Sequence, residues 1–234
     1  MKIFLRFLVF IFLFCSSVLF AESGFKMNIT LPIGGVYSLY DPIFKAEADI
    51  DSILNYAQYD ENLLGFESGF DISPGYLFDL DDNDLGVGVF GTIGYSYDFF
   101  GVKRLNINEY YHFNSLKLGV DSKLYFNSFA FGLGLGLKIP LQVKCQVNDS
   151  LATGTINYSG DSLYNNLLYN PVFGYFAFST DYIFDFDDFG LGVGIYLSYD
   201  FGLALKSSVN IVQSRNFSAF DFGAQVSLTI GESI

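Results

Sequence analysis

The chain has 234 residues, of which 51% are hydrophobic, 19% aromatic and 16% charged, with a mean hydropathy of +0.34. This composition excludes a disordered chain, which would be poor in aromatic residues. Twelve basic and 25 acidic residues give a formal charge of −13, which repels polyanions and excludes a nucleic-acid partner. The 24 glycines, 17 tyrosines and 28 phenylalanines favour strands and turns over helices.

Residues 1–21 have the pattern of a secretory signal peptide. Lys2 and Arg6 precede a continuous apolar run, and small residues follow it. A basic start, a short apolar core and a small-residue exit are typical of an export signal. We expect cleavage after Ala21, with Ser17 as the alternative site. An uncleaved membrane anchor is the rival interpretation, because the apolar run could just cross a bilayer.

Export would leave residues 22–234 as one domain with a formal charge of −15, because two of the 12 basic residues are removed. It would also leave Cys145 as the single cysteine, so no intramolecular disulfide can form. The fold outside the cytoplasm must therefore be stabilised without cross-links.

The sequence after the signal alternates with period two. Between Leu85 and Tyr97 one parity is mainly apolar and the other is glycine or polar, and the same pattern occurs in 129–143 and 190–201. Successive side chains of a strand point to opposite faces, so these stretches predict one-sided strands. They alternate for roughly 12–15 residues, whereas strands of globular proteins usually have about 5–6 and membrane-spanning strands need about 9–11. A membrane barrel fits this length better than the rival soluble barrel.

The predicted fold class is all-β: an eight-stranded antiparallel up-and-down transmembrane β-barrel. A sheet edge cannot stay unpaired in hydrocarbon, so the sheet must close on itself. Alternating short turns and long loops are typical of outer-membrane barrels, with both termini on the periplasmic side. The predicted strands are 25–37, 64–78, 85–98, 115–127, 129–145, 168–184, 190–201 and 217–231. The predicted long loops are 38–63, 99–114, 146–167 and 202–216.

An internal repeat leads to a family resemblance. Leu85-Gly86-Val87-Gly88-Val89, Phe131-Gly132-Leu133-Gly134-Leu135 and Leu191-Gly192-Val193-Gly194-Ile195 each follow an aromatic pair and a tight polar turn. With the signal peptide and the eight strands, the sequence resembles the small outer-membrane β-barrel family typified by OmpA and OmpX. The resemblance implies an integral protein of the bacterial cell outer membrane. Aromatic residues beside the short turns would form one interfacial girdle. Aromatic residues at the other end, including Tyr37, Tyr40 and Tyr95, would form the second.

The lumen of such a barrel is predicted to be largely plugged by ion pairs. Eight strands enclose a space that side chains can fill, and opposite charges there would pair. The inward parity contains five basic and five acidic residues: Lys26, Glu67, Asp71, Lys117, Asp121, Lys123, Lys138, Lys144, Asp200 and Asp221. Cys145 falls on the lipid-facing parity. Glycines near the periplasmic end make room for neighbouring side chains or, alternatively, leave a narrow water-filled vestibule.

Three chemical motifs are present only in part. The G-x-G-x-x-G pattern of 86–91 needs a helix after it, but strand follows. Asp79, Asp81 and Asn83 match the start of a calcium loop whose later positions are wrong. His112, the only histidine, lies near Glu109, Tyr111 and Ser115 in sequence, which alone does not make a catalytic site.

We therefore predict a non-enzymatic barrel with no catalytic, cofactor-binding or metal-binding residues. Its role would be envelope-structural or adhesin-like surface interaction. The alternatives are a porin-like narrow channel for small solutes or ions and, less favoured, a lipid-modifying enzyme using His112. Expected partners are outer-membrane lipids and an extracellular or host ligand bound through surface-exposed acidic loops such as 41–62. We expect a monomer.

Overall fold

The structure is a computed structural model that describes residues 23–57, 60–81, 85–104, 107–148, 153–186, 189–207 and 209–231. The predicted signal peptide lies outside the described residues. Nine strands account for most of this range: β1 Ser23–Phe44, β2 Asp60–Asp81, β3 Leu85–Arg104, β4 Ile107–Phe126, β5 Phe129–Asn148, β6 Thr153–Ser159, β7 Phe173–Phe186, β8 Phe189–Lys206 and β9 Val212–Gly231. An α-helix, α1, spans Ile50–Ala57, and a π-helical turn spans Leu163–Leu167. None of the described helices has the length and apolar character of a membrane-spanning helix.

The strands form one closed antiparallel sheet. Consecutive strands pair from β1 to β5, β7 pairs with β5 and β8, and β9 joins β8 to β1. This gives eight wall positions and confirms the predicted transmembrane β-barrel. Both ends of the described barrel chain lie at one rim, together with the three short connections, and we call this rim the turn end. The opposite rim is the loop end.

One wall position is shared by two strands. β7 pairs with β5 from Phe129 to Lys138, whereas β6 pairs with β5 from Gln142 to Asn148. The sequence predicted a single strand at 168–184 and a loop at 146–167, and both boundaries were wrong. The chain leaves the wall after β6, forms the π-helical turn and rejoins β8 through a bridge from Leu168 to Leu205.

An apolar belt covers the outside of the barrel at the turn-end side. Leu133, Leu135 and Leu137 are 50–63% exposed, as are their counterparts on other strands, including Ile33, Ile93 and Ile195. On a closed sheet, exposed aliphatic side chains at every second position are satisfied by hydrocarbon. Aromatic rings border the belt on both sides: Phe25, Tyr76, Phe129, Tyr182, Phe184, Tyr37, Tyr95 and Phe201. Tyr40, predicted in the girdle, instead packs against the interior.

The strands continue well beyond the belt and form a β-extension, hereafter the extension. Strands of 20–22 residues (β1 to β5 and β9) exceed the about 9–11 residues that cross a bilayer. The predicted long loops 99–114 and 202–216 are therefore mostly strand. In the extension the apolar side chains point inward, as in a water-soluble barrel.

Three β-bulges separate the belt from the extension. On β5, Ser115 faces Pro140 and Asn114 faces Gln142, so Leu141 is an extra residue. Equivalent register shifts occur on β2 between Leu63 and Phe66 and on β8 between Asp200 and Leu203. Gly202 in the last of these has a φ of +86°, which glycine adopts without strain. Each extra residue reverses which parity faces inward.

The first predicted loop, 38–63, is replaced by strand ends flanking α1. Asp49 caps this helix: its carboxylate accepts the Ser52 backbone N–H at 2.8 Å and the Ser52 hydroxyl at 2.6 Å. An N-terminal carboxylate satisfies a free backbone donor and favours the helix dipole. The helix lies between β1 and β2 at the loop end, where Asp49 and Asp51 are exposed.

Candidate functional site: the barrel lumen

The lumen is divided into layers, and the turn-end layer is a vestibule. A cavity of about 280 Å³ is lined by Lys26, Tyr125, Asp185, Thr229 and their neighbours. A small apolar cluster of Leu77, Phe90, Tyr125 and Ala130 follows it. Tyr125 lines the vestibule and Phe90 lines the next cavity, so this cluster lies between the two.

The middle layer is a polar chamber with a cavity of about 70 Å³. Lys117 Nζ lies 2.7 Å from Asp71, and Lys123 Nζ lies 3.6 Å from Asp181. Asp121 accepts the Thr92 hydroxyl, and Gln225 donates to Asp181 at 2.8 Å. Each of these charges meets one opposite charge or a polar hydrogen, which reduces the cost of burying it.

A carboxylate cluster closes the chamber on the loop-end side. Lys138 Nζ lies 2.6 Å from Asp200, 2.9 Å from Asp98, 3.6 Å from Glu67 and 3.7 Å from Asp221. The Lys138 side chain is 1% exposed. The five residues come from five strands, β5, β8, β3, β2 and β9, and the tilt and stagger of these strands bring them to one height in the lumen. The cluster thus links five strands of the barrel wall across the centre of the lumen.

An apolar core fills the lumen above the carboxylate cluster. Phe113, Val36 and Leu205 within it have no exposed surface. Leu163, Leu167 and Leu168 come from the chain that leaves the wall, and they fill the side where β6 and β7 are separate. The other members are Phe100, Val102, Tyr111, Val143, Phe173, Leu203, Phe217 and Ala219.

An ion pair lies at the loop end of this core. Arg215 pairs with Glu109 and is placed over the rings of Tyr40 and Tyr111, 5.5 and 5.7 Å from their centroids. The Tyr111 hydroxyl donates to Glu109 at 2.8 Å. Burial raises the pKa of Tyr111 well above its usual value, so this hydroxyl stays a hydrogen-bond donor.

Nine of the ten predicted lumen charges point into the barrel, and Lys144 does not. The bulge at Leu141 moves Lys144 to the outer face and turns Val143 and Cys145 inward. The predictions of Lys144 in the lumen and of Cys145 against lipid were therefore wrong. The prediction assumed that side chains alternate strictly along the whole strand, but the extra residue at Leu141 shifts the alternation by one.

Two buried acids and the inward aromatic residues were not predicted from the sequence. Asp98 and Asp181 are 3% and 2% exposed; added to the nine predicted charges that point inward, they give four lysines (26, 117, 123 and 138) and seven carboxylates (67, 71, 98, 121, 181, 200 and 221). The predicted balance of charge was wrong, and the excess lies around Lys138. Both acids occupy the inward parity of their strands, which was the available signal.

The glycines of the alternating strands make room for large inward neighbours. A side chain at Gly88 would meet the Phe90 ring, and one at Gly134 would meet Asp121. Gly190 instead lines the vestibule. Both interpretations of these glycines therefore apply, at different positions.

His112 lies on the outer face, away from the acid near it in sequence. Its ring nitrogens are hydrogen-bonded to Tyr97 at 2.7 Å and Gln146 at 3.0 Å, and Phe99 packs on the ring. Glu109 is on the opposite parity, in its pair with Arg215. The G-x-G-x-x-G segment is part of β3. Asn83 of the calcium-like turn lies outside the described residues.

Comparisons with known proteins match at the level of the fold. No family model matches the chain, and no curated protein does. Among solved structures, the chain is similar to Neisserial surface protein A (11% identity, TM-score 0.36, covering 88% of this chain and 96% of that one). It is also similar to the attachment invasion locus protein Ail of Yersinia pestis (12%, 0.35, 86% and 97%) and to the outer membrane protease OmpT of Escherichia coli (10%, 0.45, 89% and 96%). These are outer-membrane β-barrels, the class that the sequence resembles.

Proposed function

We propose that this protein is a closed, non-enzymatic barrel of the bacterial outer membrane that acts through its extension. The turn end faces the periplasm and the loop end faces outward, because short turns and barrel termini are periplasmic in such proteins. Lipid hydrocarbon surrounds the belt, and the extension presents a rigid surface outside the membrane. The role is envelope-structural or adhesin-like.

The apolar core carries this proposal. A solute path along the lumen would have to pass Phe113, Val36 and Leu205, which are completely buried, and then the carboxylate cluster. Packed apolar side chains leave no room for water, and an ion entering them would lose its hydration without compensation. A barrel filled in this way supports a surface role more than a conducting one.

The outer surface of the extension offers two features for a partner. The segment between β1 and β2 exposes Glu47, Asp49 and Asp51, with Lys45 as its basic residue, and Glu61 is exposed at the start of β2. These charges attract basic extracellular molecules. In addition, β6 pairs only with β5 within the described residues, so its second edge can accept an extended segment.

Conductance in a planar bilayer tests the closed lumen. We expect the purified barrel to insert and stay silent under conditions in which an open porin gives steady current. The double variant Phe100→Ala with Phe113→Ala removes two stacked rings whose centroids are 5.3 Å apart, and it should give small or flickering currents. Steady ion-selective current through the unmodified barrel would contradict the proposal and favour the narrow channel, which the vestibule and the polar chamber support.

Binding of a basic peptide tests the surface role. The barrel in lipid nanodiscs should bind it in low salt, and the variant Glu47→Gln with Asp51→Asn should bind it several-fold more weakly. A control with Asp79→Asn and Asp185→Asn removes equal charge at the turn end and should bind normally. Equal weakening in both variants would show that only net charge matters.

A further inference from the structure

The carboxylate cluster contains more negative charge than its lysine can neutralise. Glu67, Asp98, Asp200 and Asp221 surround Lys138, and all five side chains are at most 8% exposed. Four carboxylates and one ammonium leave three negative charges if all are ionised. The apolar core packs against them, with Phe100, Phe173 and Phe217 lining the same small space as Asp98, Asp200 and Asp221. Burying such an excess without compensation is costly.

The lysine serves the four acids unequally. Asp98 and Asp200 receive short charged hydrogen bonds from Lys138, whereas Glu67 and Asp221 lie 3.6 and 3.7 Å from its nitrogen. Glu67 is also hydrogen-bonded by the Tyr196 hydroxyl at 2.9 Å. Asp221 is 0% exposed, and within the described residues neither of its carboxylate oxygens has a hydrogen-bond partner. Apart from the long contact with Lys138, this fully buried carboxylate has space for a further partner: a proton, a water molecule or a cation.

Three of these acids are spaced for a metal ion. One carboxylate oxygen each from Glu67, Asp98 and Asp221 lies within 4.8 Å of the other two. Two oxygens on opposite sides of a calcium ion, each at about 2.4 Å, are about 4.8 Å apart, so this spacing fits a shared ion. The three residues come from β2, β3 and β9, whose positions the closed barrel fixes.

We propose that Glu67, Asp98 and Asp221 bind a divalent metal ion inside the barrel. Carboxylate oxygens without nitrogen or sulfur ligands select hard cations, Ca²⁺ or Mg²⁺. Lys138 holds Asp98 and Asp200 from one side, and the metal neutralises Glu67 and Asp221 on the other. The polar chamber, which Glu67, Tyr196 and Ser198 line, offers hydroxyl groups beside the ion.

This site was invisible in the sequence because its ligands are spread over 155 positions of the chain, from residue 67 to residue 221. No spacing motif links them: Glu67 and Asp98 face each other on β2 and β3, and the pairing of β9 with β1 brings Asp221 close to them. The inference goes beyond the proposed surface role, because it concerns what holds the closed lumen together.

Calorimetric titration tests the site on the folded barrel. The protein is refolded in a neutral detergent, treated with a chelator, dialysed and titrated with CaCl₂ and separately with MgCl₂. We expect one ion per chain whose affinity changes less than threefold between 0.05 and 0.5 M NaCl, because a buried site is screened little. Ions held by the acidic surface would lose most of their affinity over that range.

Matched variants locate the ion. Asp221→Asn and Glu67→Gln keep size and relieve repulsion, and each should lower the affinity at least tenfold. Asp51→Asn removes the same charge from the exposed helix α1 and should leave it unchanged. Altered gel mobility on boiling confirms that each variant is folded. No saturable binding to the unmodified barrel, or equal affinity in Asp221→Asn and Asp51→Asn, would overturn the proposal, and the salt series on the unmodified barrel decides even where a variant fails to fold.

Discussion

Replacing Lys138 by methionine removes the lysine that pairs with four buried carboxylates. Methionine keeps the length of the side chain, so the change is chiefly one of charge. Lys138 makes two short ionic hydrogen bonds, of 2.6 and 2.9 Å, and two longer ion pairs. Removing one partner of a buried ion pair costs about 3–5 kcal/mol, because the remaining charge is left uncompensated. We expect a loss at the upper end of this range, since four acids lose their partner at once.

This loss is large enough to measure by urea unfolding in detergent with a chelator present. With a slope of about 2 kcal/mol per molar urea, a loss of 4 kcal/mol moves the midpoint by about 2 M. The chain has no tryptophan, so unfolding is followed by circular dichroism and by gel mobility without boiling.

Lys103→Met is the matched control for that variant. Lys103 pairs with Glu61 at 3.0 Å, but the two side chains are 47% and 65% exposed. An exposed pair contributes about 0–1 kcal/mol, so the control should unfold near the unmodified midpoint. If Lys138→Met and Lys103→Met unfold at the same urea concentration, the cluster is not held by the lysine and the charge argument is refuted.

Two further predictions concern the extension. Phe113→Ala removes a ring with no exposed surface and should destabilise the barrel by about 3–5 kcal/mol in the same urea assay, whereas Phe176→Ala, on the exposed belt, should cost less in detergent. Burial raises the pKa of the Cys145 thiol to about 12. A maleimide at pH 7.5 should therefore label the folded barrel about a thousandfold more slowly than the urea-unfolded chain, because the thiolate reacts. Rapid labelling of the folded barrel would mean that Cys145 faces outward.

The barrel itself could be predicted from period-two alternation, because lipid and lumen impose opposite polarity on alternate residues. Leu133, Leu135 and Leu137 show this pattern without interruption. The same rule failed at Leu141, and Lys144 and Cys145 were assigned to the wrong faces. Pro140, which cannot donate to the strand ladder, was the local sign of a bulge there. The extension was predicted as loops because its apolar residues, such as Phe100 and Phe113, point into the barrel as in a water-soluble protein, and not toward lipid.

The carboxylate cluster could be predicted in composition but not in geometry. Glu67, Asp200 and Asp221 were placed in the lumen by parity alone. Which acid meets which base depends on the stagger of strands distant in the chain, and local patterns do not specify that stagger.

The length of the extension sets how the protein meets its surroundings. Seven residues beyond the bulge on β5, from 142 to 148, rise roughly 18 Å at about 3.3 Å per residue and a tilt of about 40°. That height is about twice the Debye length at physiological salt. At the loop end, a binding partner is therefore exposed to the charges of the protein, whereas the charges of the lipid headgroups are largely screened. Its affinity for the loop end becomes nearly independent of which lipids surround the belt.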